Sequence, residues 1–249
     1  MDDELIRRAE DLARLCEKRA AITNSGFLTP AEAGALAAWA QHGTDCTVLL
    51  RGGHPDAERR AAFFLPGWMD ESAFDVSEHI CAIECIARFG SPGHRDYLGG
   101  VLALGIGREW LGDILTEGER AWLFCLPSVK EFLLLNLERV GRWGVRAREI
   151  SPADVPQRER AVRERSFTVM SPRLDAVCAG MFSLSRAAAA AAIAAGGVTR
   201  NYVPCMKPDV LCAAGDVLSL RGRGKGTVLE IGAARTRRGR IFVNSAVFL

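Results

Sequence analysis

The spacing of hydrophobic positions changes several times along the chain, and each change marks an element. Leu5, Ala9, Leu12 and Cys16 share one helical face, with Asp2 and Asp3 favouring the helix start. Thr29-Pro30-Ala31-Glu32 has the form of a capping box with proline at the first helical position, opening a helix towards Ala40. Residues 47–51 and 61–65 read as strands on either side of the turn signal Gly52-Gly53-His54-Pro55-Asp56. Residues 1–77 are thus expected to form a small α+β unit, in which nothing announces chemistry.

From His79 the pattern becomes strand (80–88), helix (95–104), strand (112–116), strand (120–126), helix and strand (145–150). Glu117-Gly118-Glu119 turns the middle pair, and Ser128 with Glu131 reads as a second capping box for the helix to Val140. That order is the split β-α-β unit of ferredoxin-like and RNA-recognition folds, expected over 78–150. Trp122 and Phe124 alternate onto one face among apolar neighbours, which favours core packing over base stacking. Ser151-Pro152-Ala153-Asp154-Val155-Pro156 and the charged run from Gln157 to Arg165 read as a linker, 151–165.

In residues 166–249 the pattern predicts two short helices followed by a small sheet. Ser171-Pro172 is a helix-start signal, and Leu174, Val177, Cys178 and Met181 form one buried face. Ser185 starts a second, alanine-rich helix that stops at Gly196-Gly197. Strands are expected at 197–200, 203–204, 216–221, 227–233 and 241–248. Between two of them, Gly222-Arg223-Gly224-Lys225-Gly226 is too glycine-rich for a strand and presents cations on a flexible tip. Arg235 to Arg240 makes a second basic tip. The fold class is therefore α+β, built from three small modules.

Charge changes this picture. Residues 166–249 carry 11 basic and 4 acidic side chains, net +7, whereas residues 1–165 carry 21 and 26, net −5. The near-neutral total hides a compact basic module of the kind a phosphate backbone requires. Arg173 and Arg186 lie near the starts of adjacent helices, where free amides and the helix dipole favour anions. One basic tip alone would be read as a solvated hairpin; two tips plus two helix-start arginines point to RNA.

The ordered phrases P-R-L-D-A-V, S-L-S-R-A, I-A-A-G-G-V and G-D-V-L-S-L-R-G over about residues 166–225 resemble the RNA-binding domain named after the fourth small-subunit ribosomal protein, the S-four domain. By that match the RNA-binding residues are Arg173, Ser185, Arg186, Lys207, Arg221 and Arg223, and Lys225 joins them as a cation of the glycine-rich tip. The chain departs from the pattern at Ala187 to Ala192, where further polar and basic residues are usual. A second phrase, H-R-D-Y-L-G-G-V-L-A-L-G-I-G-R-E-W-L-G-D-I from His94 to Ile114, is similar to the central motif of the YlmH-like family. Its members carry an N-terminal unit, an RNA-recognition-like middle and a C-terminal S-four domain, in the order found here. The resemblance implies a non-catalytic partner of ribosomal RNA or tRNA, on the large ribosomal subunit, in quality control of obstructed subunits.

Enzymatic readings fare worse. His94-Arg95-Asp96 copies a kinase triplet, but Val101 stands where the asparagine should, and Gly105-Ile106-Gly107 and Gly222 to Gly226 lack nucleotide-loop spacing. An RNA-modifying enzyme of the pseudouridine synthase type needs a second Arg-Leu-Asp beside Arg173-Leu174-Asp175, and a methyltransferase needs a glycine loop after a strand; neither is present. His79, Cys81 and Cys85 lie close in sequence but lack a fourth zinc ligand, and His42 and His54 fall in loop signals. The eight cysteines include no C-x-x-C pair and read as reduced core thiols. No metal, cofactor or small-molecule substrate is expected. The acidic start and the lack of a membrane-length apolar run predict a cytoplasmic protein without a membrane partner. The rival of a different class is a protein-interaction adaptor whose basic surface meets acidic partners.

Overall fold

The computed structural model describes residues 3–41, 44–157 and 162–248. Asp2 and His42, and residues 158–161 of the charged run, lie outside the described residues. The chain divides into two compact units, 1–157 and 158–249. Helices and antiparallel sheets are mixed in both, as the α+β reading expects.

The first unit opens with α1 (Asp3–Arg19), β1 (Thr23–Leu28), α2 (Pro30–Ala40), β2 (Thr47–Arg51) and β3 (Arg60–Leu65). The capping box is present: the Thr29 amide donates to Glu32 Oε2 at 2.7 Å, and the Glu32 amide donates to Thr29 Oγ1 at 3.3 Å. The strands form an antiparallel sheet in the order β1-β3-β2. One face packs Ala62 and Phe64 under Cys16 of α1 and Leu36 of α2. Strand β1 is absent from the sequence expectation, because a bulge between Asn24 and Phe27, with Gly26 at φ +76°, breaks its alternation.

The chain continues through α3 (Val76–His79), β4 (Cys81–Ala87), α4 (His94–Ala103), β5 (Leu111–Glu117), β6 (Arg120–Cys125), α5 (Pro127–Asn136), β7 (Arg139–Val140) and β8 (Trp143–Ile150). The sheet runs β5-β6-β4-β8-β7, all antiparallel, which is the strand order of a split β-α-β unit. Helices α4 and α5 cover one face through Tyr97, Val101 and Leu133. The other face presents Ala82, Trp122 and Phe124 to Phe27, Leu49 and Phe63 of the first sheet. Trp122 is 3% exposed and Phe124 fully buried, so both serve packing.

Two helix expectations need correction here. The Ser128–Glu131 capping box does not form, because Pro127 already fixes the first turn behind Leu126, which makes no side-chain cap. The helix stops at Asn136 rather than Val140, since Arg139 and Val140 pair with Gly144 and Trp143.

The expected linker is partly ordered structure. Ser151 caps a short 3-10 turn, Pro152–Asp154, and Val155 is buried in the cluster holding Phe63 and Phe124. At its far end, β9 (Val162–Val169) belongs to the second unit and pairs with β14 (Ile241–Phe248) along its whole length. Exposed Arg163 and Glu164 make that strand read as a charged run.

The second unit places α6 (Leu174–Phe182) and α7 (Arg186–Ala194) on a six-stranded antiparallel sheet. Its other strands are β10 (Val198–Arg200), β11 (Val203–Pro204), β12 (Val217–Leu220) and β13 (Gly224–Arg235), in the order β11-β10-β12-β13-β14-β9. Leu174, Val177, Cys178 and Met181 are fully buried against Leu218, Val228 and Val243. The start of α6 differs from expectation. Pro172 is held extended by the Cys212 amide, which donates to its carbonyl at 2.8 Å, so Arg173 rather than Ser171 is the N-cap residue. The glycine-rich tip is also shorter than expected: Lys225 is in β13, opposite Ser219, leaving Arg221-Gly222-Arg223 as the turn. Among the described residues no single helix is long and apolar enough to cross a membrane.

Candidate nucleic-acid interface

The starts of α6 and α7 are joined by one carboxylate. Asp175, in the first turn of α6, is 5% exposed and accepts from both helix-start arginines. Arg173 reaches it at 3.3 and 3.4 Å, and Arg186 at 3.1 and 3.3 Å. Burial works to raise the Asp175 pKa, but the hydrogen bonds from Arg186 and Arg173 outweigh it and hold the carboxyl below its ordinary value. From sequence Asp175 is only a helix-start charge; its larger role is to fix two guanidinium groups side by side. The arginine side chains remain 36% and 58% exposed, so the group carries a net positive charge at the surface.

Ser185 is a cap: its hydroxyl accepts from the Ala188 amide at 3.1 Å. It fixes where Arg186 emerges. Beyond Arg186, Ala187, Ala188 and Ala191 are exposed and leave the outer side of α7 bare. The anion-binding chemistry of this helix is confined to its first turn.

Lys207 is exposed on a segment tied down at both ends. The Cys205 amide donates to Val198 at 3.1 Å, just past α7, and the Asp175 amide donates to Pro208 at 3.0 Å. Lys207 therefore lies on the path between the two ends of the helical pair. Arg221 and Arg223 are exposed on the β12–β13 turn, which is anchored beyond α7 by the Arg221 amide donating to Gly197 at 3.0 Å. The nine residues of α7, about 13 Å long, lie between Arg186 and that anchor. The predicted residues thus form two groups, one at each end of α7, with Lys207 between.

Lys225 belongs with the second group. Its ammonium stands 5.4 Å from the Tyr202 ring centroid and 5.7 Å from that of Phe248. Asn201 and Tyr202 form the two-residue β10–β11 turn with φ +49° and +67°, a geometry that favours Asn-Gly. The Asn201 amide group is pinned by Asp216 at 2.8 Å, so a tyrosine sits at a strained tip.

Arg240 joins the site although no sequence signal assigns it there. The β9–β14 pairing carries it to a hollow shared with Arg186, Ser171 and exposed Met170. The sequence shows Arg240 only as part of the second basic tip, since its proximity to α7 depends on strand pairing 72 residues apart in sequence, Ile241 with Val169.

The other candidate groups resolve into structure. Asp96 caps α4 by accepting from the Gly93 amide at 2.8 Å. His79 ends α3 and stacks on Phe74 at 4.9 Å, whereas Cys81 and Cys85 face the core under α4 and α5. His54 bonds Asp113 at 3.0 Å and stacks on Phe124. Burial pushes the thiols of Cys85, Cys125, Cys178 and Cys212 up to about 12, so they stay protonated. Among the described residues no group of three or more His, Cys, Asp or Glu side chains is placed to hold a metal ion.

Comparison with known proteins bears on this arrangement. A family described as "Putative RNA-binding domain in YlmH" matches residues 70–154. The ribosome-associated protein quality control protein P2 of Bacillus subtilis (strain 168) is 28% identical over 226 residues, covering 91% of this chain and 88% of that protein. Among solved structures, the cell division protein YlmH from Streptococcus pneumoniae superposes with a TM-score of 0.51 at 19% identity, covering 63% of this chain and 94% of that one. At that identity the likeness concerns the fold.

Proposed function

Since the chain belongs to the YlmH-like family, we propose that it is a non-catalytic RNA-binding protein of ribosome-associated quality control. Its second unit acts as an S-four domain that docks on structured ribosomal RNA or tRNA of the large ribosomal subunit. The observation that carries this reading is the pair of arginines held on buried Asp175 at two adjacent helix starts, with Arg240 beside them. Fixed, paired guanidinium groups suit phosphate oxygens, which they engage through forked donors. Arg221 and Arg223 supply a second contact one helix length away, so the surface reads backbone spacing and shape rather than base edges. Asp175 is fully engaged by its two arginines, which supports binding rather than catalysis.

The test is ribosome co-sedimentation of the full chain. Replacing both Arg173 and Arg186 by alanine removes binding but also strands a buried carboxylate, so a second variant is needed. Arg221→Glu/Arg223→Glu reverses two exposed charges on a turn and leaves the core alone. Both variants are expected to lose sedimentation with large subunits, and wild-type binding is expected to weaken steeply with salt. Wild-type sedimentation by the turn variant, or wild-type binding that survives nuclease treatment, overturns the proposal in favour of a protein adaptor.

A further inference from the structure

The first unit matches an RNA-binding family, yet the sheet face that RNA-recognition folds use for stacking is covered. Trp122 and Phe124 on β6 and Ala82 on β4 pack against Phe27, Leu49 and Phe63 of the N-terminal sheet. Lower on that face, buried Glu84 ties Arg120 at 3.4 Å and Arg148 at 2.5 Å. No aromatic platform is left there for a base.

A different surface of the unit has the required chemistry. A groove between the end of α5, the β7–β8 hairpin and the loop after β4 is lined by Arg88, Arg139, Arg142 and Arg146, with Glu138 as its one acid. All four arginines are exposed, and among the described residues none has a carboxylate partner within 4 Å. Four cations against one anion, unpaired, is an unusual surface for a unit whose sequence is acidic overall. Two large apolar side chains stand in the same groove: Phe89, 61% exposed, and Leu135, 74% exposed. Two glycine turns shape the walls. Gly141, at φ +55°, tightens the hairpin between Arg139 and Arg142, whose guanidinium lies 4.8 Å over the Trp143 ring. Gly90, at φ +76°, lets the loop carrying Phe89 pass against that same indole, where an added Cβ would meet Nε1 at 2.4 Å. Arg139 also borders a neighbouring hollow in which Arg95 is balanced by Asp96 and Glu138, so the cationic surface is confined to the groove itself.

We propose that this arginine groove is the RNA contact of the first unit, taking the sugar-phosphate backbone of a single-stranded or looped segment while an unpaired base stacks on Phe89. Unpaired arginines meet phosphates, and an exposed ring beside them meets a splayed base, the combination that single-strand binding uses. A second RNA contact then exists on the chain, built from helix, hairpin and loop instead of the sheet face. The inference rests on the RNA-binding reading given above and adds where the first unit takes part in it.

The full chain is titrated with a fluorescein-labelled 12-nucleotide RNA of mixed sequence across a potassium chloride series. Arg139→Gln/Arg142→Gln is expected to weaken binding about tenfold and to reduce the salt slope by about 1.4, at roughly 0.7 for each phosphate no longer neutralised. Phe89→Leu is expected to weaken binding about fivefold with the slope unchanged, because a stacked base is given up but no charge. Tryptophan fluorescence on heating, to which Trp143 beside Arg142 contributes, checks that each variant is folded. Wild-type affinity and slope in Arg139→Gln/Arg142→Gln, with binding abolished in Arg221→Glu/Arg223→Glu, overturns the groove and leaves the RNA-binding reading standing. No RNA binding by the wild-type chain overturns both. Retained RNA binding with abolished binding of an oligoglutamate peptide overturns the groove as an RNA contact and assigns it to an acidic protein.

Discussion

Replacing Asp175 by asparagine separates the geometry of the arginine pair from its charge. The carboxylate receives four contacts of 3.1–3.4 Å, at the long end for charge-assisted bonds. A hydrogen bond to a charged group in a protein typically contributes about 1.5–3 kcal/mol. Here the partners are 36% and 58% exposed, so solvent screening reduces this to about 1 kcal/mol per arginine. Asparagine has nearly the same volume and keeps one acceptor, which retains some of that contribution. Asp175→Asn should therefore destabilise the second unit by about 1–1.5 kcal/mol at neutral pH, equivalent to about tenfold faster hydrogen exchange in α6 and α7 where exchange follows unfolding of the unit.

The sign with pH is fixed by the depressed carboxyl. A folded-state value below the unfolded one contributes stability that is complete above the unfolded value and is lost as pH falls through the folded value. The difference between wild type and variant should be full at pH 7 and vanish below the folded value. All five tryptophans lie in residues 1–157, so their fluorescence reports the first unit and should not respond, while exchange mass spectrometry of α6–α7 peptides should. Exchange in α6–α7 less than about threefold faster at pH 7, a gap of well under 1 kcal/mol, would show that Asp175 does not hold the pair. So would a difference that persists undiminished in acid.

Gly53→Ala should destabilise the first unit by about 2–3 kcal/mol, seen as a lower tryptophan-detected urea midpoint, because overpacking adds to left-handed strain. The residue sits at φ +87°, and a Cβ there would meet Phe124 Cδ1 at 2.6 Å and Ile80 Cγ2 at 2.8 Å; an unchanged midpoint would contradict that packing. Ser185→Ala should cost the second unit about 1 kcal/mol through removal of the cap, and Ser185→Gly only a few tenths, measured by α7 exchange. Equal destabilisation in the two variants would argue against capping as the role of Ser185.

Local signals are legible in the residues, and long-range ones are not. Thr29 and Glu32 form their box because both partners lie within one turn. Ser128 and Glu131 have the same spacing but fail, because Pro127 starts the helix two positions earlier, behind Leu126. The start of α6 departs from its local signal for a nonlocal reason: Cys212, some forty residues on, bonds Pro172 and holds it extended. Strand β9 is hidden by its charged residues, since its inward pairing with β14 leaves no clean alternation to see. Among candidate RNA contacts, Arg173 and Arg186 are legible as helix-start cations, but their common partner Asp175 and their neighbour Arg240 emerge only once strands and helices are packed. The groove arginines are invisible in the sequence, being scattered from Arg88 to Arg146 among nearly as many acidic residues, within a stretch, 1–165, of net charge −5.

The net charge of a unit is a poor guide to where it meets RNA. Charges at the surface are screened over about 8–10 Å at physiological salt, so a phosphate meets the local field and not the net charge of a unit. In the first unit several carboxylates are engaged by neighbours, Glu84 by Arg120 and Arg148, Glu149 by Lys130 and Asp113 by backbone amides. Those carboxylates are held by partners of their own, whereas Arg88, Arg139, Arg142 and Arg146 have no carboxylate partner among the described residues. The same unit can carry net negative charge and still offer phosphate a positive groove. Two moderate RNA contacts on one chain also act together, because binding at one raises the effective concentration of RNA at the other. The bare alanine face of α7 is then no obstacle to firm binding: affinity need not be concentrated in the second helix when a second surface shares it.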